Sequence, residues 1–263
     1  GSDTGGASVK INWTPSDNIK LTTILRYNGN DTDSNRANEV YTMDWLSGET
    51  SYVSPNFGYA EDSWGLHSRA TAFYGMIRAE LTSLEDHWVN SISAQLVDTE
   101  RKTYDVADNN SPRADQTVAL RYGYQGRRYR GSYESSFRIE TGAIRHRLTL
   151  AIDGEREEYT NISPPEVNPG VFAGRHHKDT LGLVGQYDLV VRDRLALGAS
   201  YRHDANTLFS DADTWRLHGS VAIIAGLRLR AAAGSGVKAP GFDELFGYYS
   251  GEYTGNPNLK PEK

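Results

Sequence analysis

Apolar residues along this chain recur at every second position, in runs separated in turn by short connections and by long polar stretches. Val9, Ile11 and Trp13 alternate with Lys10 and Asn12, the turn 14–18 follows, and Ile19, Leu21, Leu25 and Tyr27 then alternate with Lys20, Thr22, Arg26 and Asn28. A period of two places every apolar member on one face of an extended strand, so this stretch predicts a hairpin. The pattern resumes at Phe73, Ile77 and Leu81 against Tyr74, Arg78 and Glu80, turns at 83–86, and returns through Trp88, Ile92, Ala94 and Leu96. Residues 117–140 alternate twice, on even positions through Val118, Leu120, Tyr122 and Tyr124, then on odd positions through Tyr133, Phe137 and Ile139. One extra residue near Gly126 would switch the face in this way, so the stretch reads as a single strand with a β-bulge.

The later part is the most regular. Leu148, Leu150 and Ile152 form one apolar row, Leu181, Leu183, Tyr187 and Leu189 a second, and Leu195, Leu197, Ala199 and Tyr201 a third beyond the tight turn Arg192-Asp193. Trp215, Leu217, Val221 and Ile223 lead to a turn at Ala225-Gly226, after which Leu227 and Leu229 begin a last strand. The fold class expected is all-β, an antiparallel transmembrane β-barrel segment of about ten strands. Long loops are expected near 30–66, 102–115, 159–177, 206–213 and 238–263, all at one end of the sheet. Outer-membrane barrels keep short turns on the periplasmic side and long loops outside, so these loops read as extracellular.

The opposite face of the late strands carries Arg145, Arg147, Arg194, Arg202, Arg216, Arg228 and Arg230. An arginine facing lipid at mid-membrane costs about 2–4 kcal/mol, so this face is expected to line the lumen. Trp13 and Trp88 fall beside short turns and Trp215 beside a long loop, the places of two interfacial aromatic girdles.

Composition changes this picture little. A hydrophobic content of 38% and a mean hydropathy of −0.60 suit a wall in which only alternate residues meet lipid, and no apolar run is long enough for a membrane-crossing helix. There is no cysteine, which excludes disulfides and thiolate metal or redox sites. A net charge of −6, with no basic run interleaved with aromatics, argues against nucleic acid as a partner. The opening GSDTGGAS has neither the charged nor the apolar region of a signal peptide, so an export signal is expected to lie outside this stretch or to have been removed.

The last thirty residues are punctuated by Gly, Pro and Asn and read as a loop: GSGVKAPGFDELFGYYSGEYTGNPNLKPEK. Their wording resembles the barrel signature of TonB-dependent outer-membrane receptors, in which KAPxxxELYG is followed by GNPxLxPE. The matching residues are Lys238, Ala239, Pro240, Glu244, Leu245, Gly247, Asn256, Pro257, Leu259, Pro261 and Glu262. The resemblance implies that they shape a loop and take part in no reaction.

It also implies that residues 1–263 form part of the barrel of an active transporter in the outer membrane of a Gram-negative bacterium. Barrels of this type have roughly 22 strands and a plugged lumen, so the plug domain and the remaining strands would lie outside this chain. Partners would be the bilayer, the plug and those strands, the TonB complex reached through the plug, and a scarce bulky ligand: a ferric siderophore, haem or cobalamin. No cofactor is implied.

Phe242, Tyr248, Tyr249 and Tyr253 could form an aromatic lip for a planar or glycosylated ligand, or pack the loop against itself. Asp31 and Asp33, alternating with Asn35, offer oxygen ligands for calcium, as in the extracellular loops of cobalamin receptors; the bland alternative is a solvated turn. His176 and His177 are adjacent and point to opposite faces of an extended chain. No nucleophile elbow, HExxH or phosphate-cradling Gly loop is present, so no enzymatic activity is expected. The alternatives are a self-contained ten-strand outer-membrane barrel acting as a surface hydrolase, with His203-Asp204 as its candidate pair, or a passive porin or adhesin.

Overall fold

The structure, a computed structural model, describes residues 1–35, 40–43, 50–53, 65–106, 118–164, 173–249 and 253–262. Ten strands make one antiparallel meander: β1 (Ser2–Ser16), β2 (Ile19–Asn35), β5 (Gly65–Ser83), β6 (Trp88–Val106), β7 (Val118–Thr141), β8 (Ile144–Asn161), β9 (Gly174–Val191), β10 (Leu195–Asn206), β11 (Ala212–Ile224) and β12 (Leu227–Gly234). A small hairpin of β3 (Val40–Met43) and β4 (Thr50–Val53) is inserted between β2 and β5. Beyond β12 come a helical turn, α1 (Phe242–Phe246), and a two-residue hairpin of β13 (Tyr248–Tyr249) and β14 (Tyr253–Thr254). Each of the ten pairs with the next of the ten along the chain, β2 with β5 across the inserted hairpin, and the sheet is open, with β1 and β12 at its edges.

The sheet is a single layer. Ile11, Ile77, Ile92, Leu150 and Leu229 are 55–61% exposed, and the other apolar members of the alternating rows share their face. Buried apolar residues among those described are only Tyr159, Ala212, Leu245 and Phe246. A water-soluble sandwich would bury the rows against a second sheet; here they form a belt that needs hydrocarbon for a solvent. No described helix is long and apolar enough to cross a membrane, which says nothing about crossing by strands.

Side chains on the belt anchor near the short turns. The Trp88 indole donates to Ser135 Oγ at 2.9 Å, and His146 Nδ1 lies 2.7 Å from the Tyr187 hydroxyl. At the other end Trp215 stands directly opposite Tyr201. The turns themselves use left-handed backbone: Arg192 and Asp193 have φ of 47° and 56°, the pair of positive values that a type I′ hairpin turn requires.

Two features depart from the sequence reading. Residues 118–141 are one strand, but the extra residue is Arg121 and not a neighbour of Gly126. Thr103 faces Tyr122 while Tyr104 faces Leu120, and the register then runs unbroken past Gly126 to Phe137. The face therefore changes between Leu120 and Tyr122, and Tyr122 and Tyr124 belong to the inner face.

The strands also outlast their alternating segments: β2 continues to Asn35 and β6 to Val106. Crossing a membrane takes roughly 9–11 tilted residues, so these strands project well beyond it. In the projecting part both faces meet water, and apolar alternation has no reason to persist.

Candidate functional site

The signature segment is a small folded unit in which the two halves of the motif hold each other. Lys238 and Glu262 exchange reciprocal backbone N–H···O bonds of 3.0 Å, closing the segment at its base. The four residues between Gly241 and Gly247 that follow Phe242 contain neither Gly nor Pro, and they close a turn of helix in place of the irregular loop the sequence suggested. Its first turn is satisfied by Glu244, whose carboxylate accepts the Gly241 N–H at 2.7 Å, as in a capping box. The Gly247 N–H caps the other end by donating to the Asp243 carbonyl at 2.8 Å.

The second half then laces on. Gly255 donates to the Gly247 carbonyl at 2.8 Å, and Asn256 donates to the Glu244 carbonyl at 2.9 Å. A Cβ on Gly255 would lie 2.8 Å from the Leu245 carbonyl, so only glycine permits this approach. Asn256 Oδ1 accepts the Asn258 N–H at 3.0 Å and its carbonyl accepts the Leu259 N–H at 3.2 Å, a turn in which Pro257 supplies the constrained second position.

This unit packs against the inner wall. Leu245 is 1% exposed, and Phe246 and Tyr159 lie beside it in the same buried cluster, flanked by Tyr124, Leu208, Phe209 and Phe242. Phe242 stacks on Tyr159 with centroids 5.8 Å apart and planes 7° apart, and Tyr159 in turn stacks on Tyr124 at 6.3 Å. Phe246 lies flat on His176 at 3.8 Å.

His176 stands at the far end of β9, roughly fifteen residues from the short turn and so beyond the membrane-crossing stretch. Its Nε2 is buried without a hydrogen-bond partner among the described residues, and burial holds its pKa below the ordinary histidine value. Tyr253 donates its hydroxyl to the Asp243 carbonyl at 3.2 Å; partial desolvation and then the nearby Asp243 and Glu244 carboxylates push its pKa up.

Between this unit and the wall lies a cleft of about 560 Å³ lined by Pro240, Phe242, Arg128, Glu157 and Lys178, among others, with Lys178 Nζ 2.6 Å from Glu157. Deeper on the inner face, ion pairs reach across whole strands. Arg202 on β10 holds the buried Asp153 of β8 by two bonds of 2.7 and 3.1 Å, and Arg130 approaches the same carboxylate at 3.3 Å. Gly182, in register between Asp153 and Asp204, makes this geometry available, because a side chain there would occupy the space of the Arg202 guanidinium. His218 likewise passes over Gly198 toward Asp188, at 3.6 Å.

The remaining sequence candidates are distributed as follows. Phe242 is committed to the stack on Tyr159; the side chains of Tyr248 and Tyr249 lie outside the described residues. Asp31 sits within β2, its carboxylate 3.1 Å from His67 and 3.4 Å from Arg69, while the side chain of Asp33 lies outside the described residues. No group of three or more His, Cys, Asp or Glu suited to a metal occurs among the described residues. His203 pairs with Asp213 at 2.8 Å on the outer face, and Asp204 turns inward to Arg202. Sequence reasoning missed Tyr124, Tyr159, His176, Leu208 and Phe209, which seat the signature unit. The available signal was parity: Tyr159 shares the odd, inward-facing positions of β8 with Asp153.

A one-layer antiparallel wall, apolar outside and ion-paired inside, with short turns at one end and long connections at the other, defines a stretch of an outer-membrane β-barrel. The chain belongs to the TonB-dependent receptor family: the family model described as TonB dependent receptor-like, beta-barrel, matches residues 11–263. Members of this family reside in the outer membrane of Gram-negative bacteria.

The structure is similar to that of the siderophore receptor PirA from Acinetobacter baumannii, with a TM-score of 0.71 and 12% identity over 99% of this chain and 39% of that one. It is also similar to a variant of the ferric enterobactin receptor PfeA from Pseudomonas aeruginosa in complex with enterobactin, with a TM-score of 0.70 and 13% identity over 99% of this chain and 39% of the other. In sequence, 64 residues are 42% identical to the vitamin B12 transporter BtuB of Photobacterium profundum, covering 24% of this chain and 10% of that protein.

Proposed function

We propose that this chain contributes ten strands and the extracellular signature unit to an active transporter that captures a scarce, bulky ligand outside the cell. The observation that carries this reading is the seating of the signature unit. It docks on the inner wall at the end where the long connections lie, and it narrows the mouth above Arg128, Glu157 and Lys178. Import would draw on the TonB complex through a plug domain seated against the ion-paired inner face. Among the ligand classes that the relatives' names supply are siderophores, ferric enterobactin and vitamin B12, with peptides and ferric citrate named for others; haem is a further ligand of similar bulk. Phe242, stacked on Tyr159, lines the cleft such a ligand would pass, and the exposed Tyr253 ring of the same unit suits a planar group.

The hydrolase alternative has no support in the geometry, since His203 and Asp204 face opposite sides of β10. Uptake by the complete receptor in a receptor-deficient strain, with labelled ferric catecholate and hydroxamate chelates, haem and cyanocobalamin, tests the reading. Accumulation of one class, abolished by a protonophore, is the expected result; accumulation that survives the protonophore indicates a passive pore and overturns it. A calcium ion at Asp31 and Asp33 would compete with Arg69 and His67 for the Asp31 carboxylate. Calorimetric titration of the receptor with calcium, repeated on Asp31→Asn, tests that site.

A further inference from the structure

The inner wall carries a second cleft, at the end away from the signature unit. It has a volume of about 550 Å³ and is lined by Arg138, Arg145, Arg147, Gln186, Asp188 and His218, among others. Two of its arginines stand directly opposite one another: Arg138 on β7 is in register with Arg147 on β8, each four residues from the turn Gly142-Ala143. Like charges in that relation destabilise a sheet, and the cost persists until an anion joins them. At roughly 3.4 Å of rise per residue along tilted strands, the pair lies about 10 Å from the short-turn edge of the wall.

The carboxylates at hand serve other partners. Asp188 is the register neighbour of Arg147 on β9, yet its Oδ2 accepts the Gln186 amide at 2.8 Å and its Oδ1 lies 3.6 Å from His218 Nε2. That approach needs Gly198, where a Cβ would collide with the imidazole and with Asp188 Oδ1 alike. Asp193 holds Arg145, and Glu140 faces Arg145 across the sheet. Among the described residues no carboxylate reaches Arg138 or Arg147, and neither guanidinium has a hydrogen-bond partner. Nearer the mouth, by contrast, Arg202 and Arg130 both meet Asp153.

We propose that Arg138 and Arg147 form a two-point site for a small mobile oxyanion, a phosphate or a polycarboxylate, at the periplasmic end of the lumen. Two planar guanidinium forks on adjacent strands can converge on one oxyanion, each with paired N–H donors where an ammonium offers a point charge. The low-dielectric wall behind them focuses their field into the cleft. A bound anion cancels the repulsion between the opposed cations, so the charge pattern that costs stability in the empty wall becomes the source of affinity. At this height the site would receive the anionic part of a ligand that has left the mouth. That role rests on the transporter reading and its orientation; the binding itself does not.

The test titrates the complete receptor, purified in mild detergent at low salt, with inorganic phosphate and separately with tricarballylate, followed by calorimetry. One saturable site for at least one of the two is expected. Arg138→Gln and Arg147→Gln should each weaken it about tenfold, the equivalent of one charge-assisted contact. Arg230→Gln, which removes an inner-face cation of β12 outside the cleft, should leave it unchanged. Arg147→Lys, whose ammonium lacks the fork, serves in place of Arg147→Gln if that variant loses the heat-modifiable mobility of a folded barrel. Absence of saturable binding overturns the proposal, because the cleft is then filled by the receptor's own plug or by water alone. Equal weakening by Arg230→Gln also overturns it, since binding is then a general attraction to a cationic wall. Failure of energised uptake removes the transporter reading and leaves this titration untouched.

Discussion

The protein has two apolar surfaces, and they obey different rules. On the belt, Leu150 and Ile92 are more than half exposed and touch few protein atoms; lipid, a fluid, adapts to whichever apolar group is presented. Under the signature unit, Leu245 is 1% exposed among Tyr159, Phe246 and their neighbours, where a solid must be filled. The belt therefore demands polarity of the right kind at each position, and the cluster demands shape.

Truncation and charge should separate the two surfaces. Leu245→Ala removes packed atoms and leaves a cavity, so it should weaken seating of the unit by about 2–5 kcal/mol. Leu150→Ala on the belt should cost about 2 kcal/mol at most, because only a transfer term of about 0.8 kcal/mol per methylene-sized group is lost and no cavity is left. Hydrogen exchange of residues 242–247 in the detergent-solubilised receptor measures the first and urea-dependent insertion into vesicles the second; equal costs would erase the distinction.

Leu150→Arg reverses the ranking within the belt. It should cost about 2–4 kcal/mol in the same vesicle assay, while Thr149→Arg, one position along on the inner face, should be nearly neutral. A matched cost at the two positions would mean that the assignment of faces is wrong.

Gly182→Ala probes the inner wall. By displacing the Arg202 guanidinium it should leave Asp153, 6% exposed, without its principal partner, for a loss of about 1–3 kcal/mol. Arg202→Met in the Gly182→Ala background should then add little, which a double-mutant cycle on denaturation midpoints will show.

The smallest effect is that of pH. The His176 pKa is lower with the unit seated than free, so seating is fully supported above the ordinary histidine value of about 6.5 and weakens as pH falls through that value toward the seated one. Proteolysis of the signature segment at about pH 7.5 and about pH 5.5, one on each side of that ordinary value, reads this, with His176→Phe expected to abolish the dependence.

Legibility followed the same division. Period-two alternation located the membrane-crossing part of the ten strands, because lipid on one side and water on the other write a signal into adjacent residues. It failed for the projecting ends of β2 and β6 and misplaced the bulge from Arg121 to Gly126. There both faces are wet, and Tyr122 and Tyr124 are aromatic on the inner face, where Tyr124 joins the cluster. The motif itself was legible as wording, and Gly247, Gly255 and Glu244 each proved to have a backbone reason. Its seat was not, since Tyr159, His176 and Phe209 come from three separate connections and strands that carry no mutual spacing.

Solvent sorting is local, made residue by residue, and so the two faces, the turns and the self-lacing of the signature unit are written in the order of amino acids. Register across β8, β9 and β10 is not local. Only the assembled sheet brings Arg202 over Gly182 to Asp153 and sets Phe246 on His176, because those meetings depend on how far each strand slides past the next.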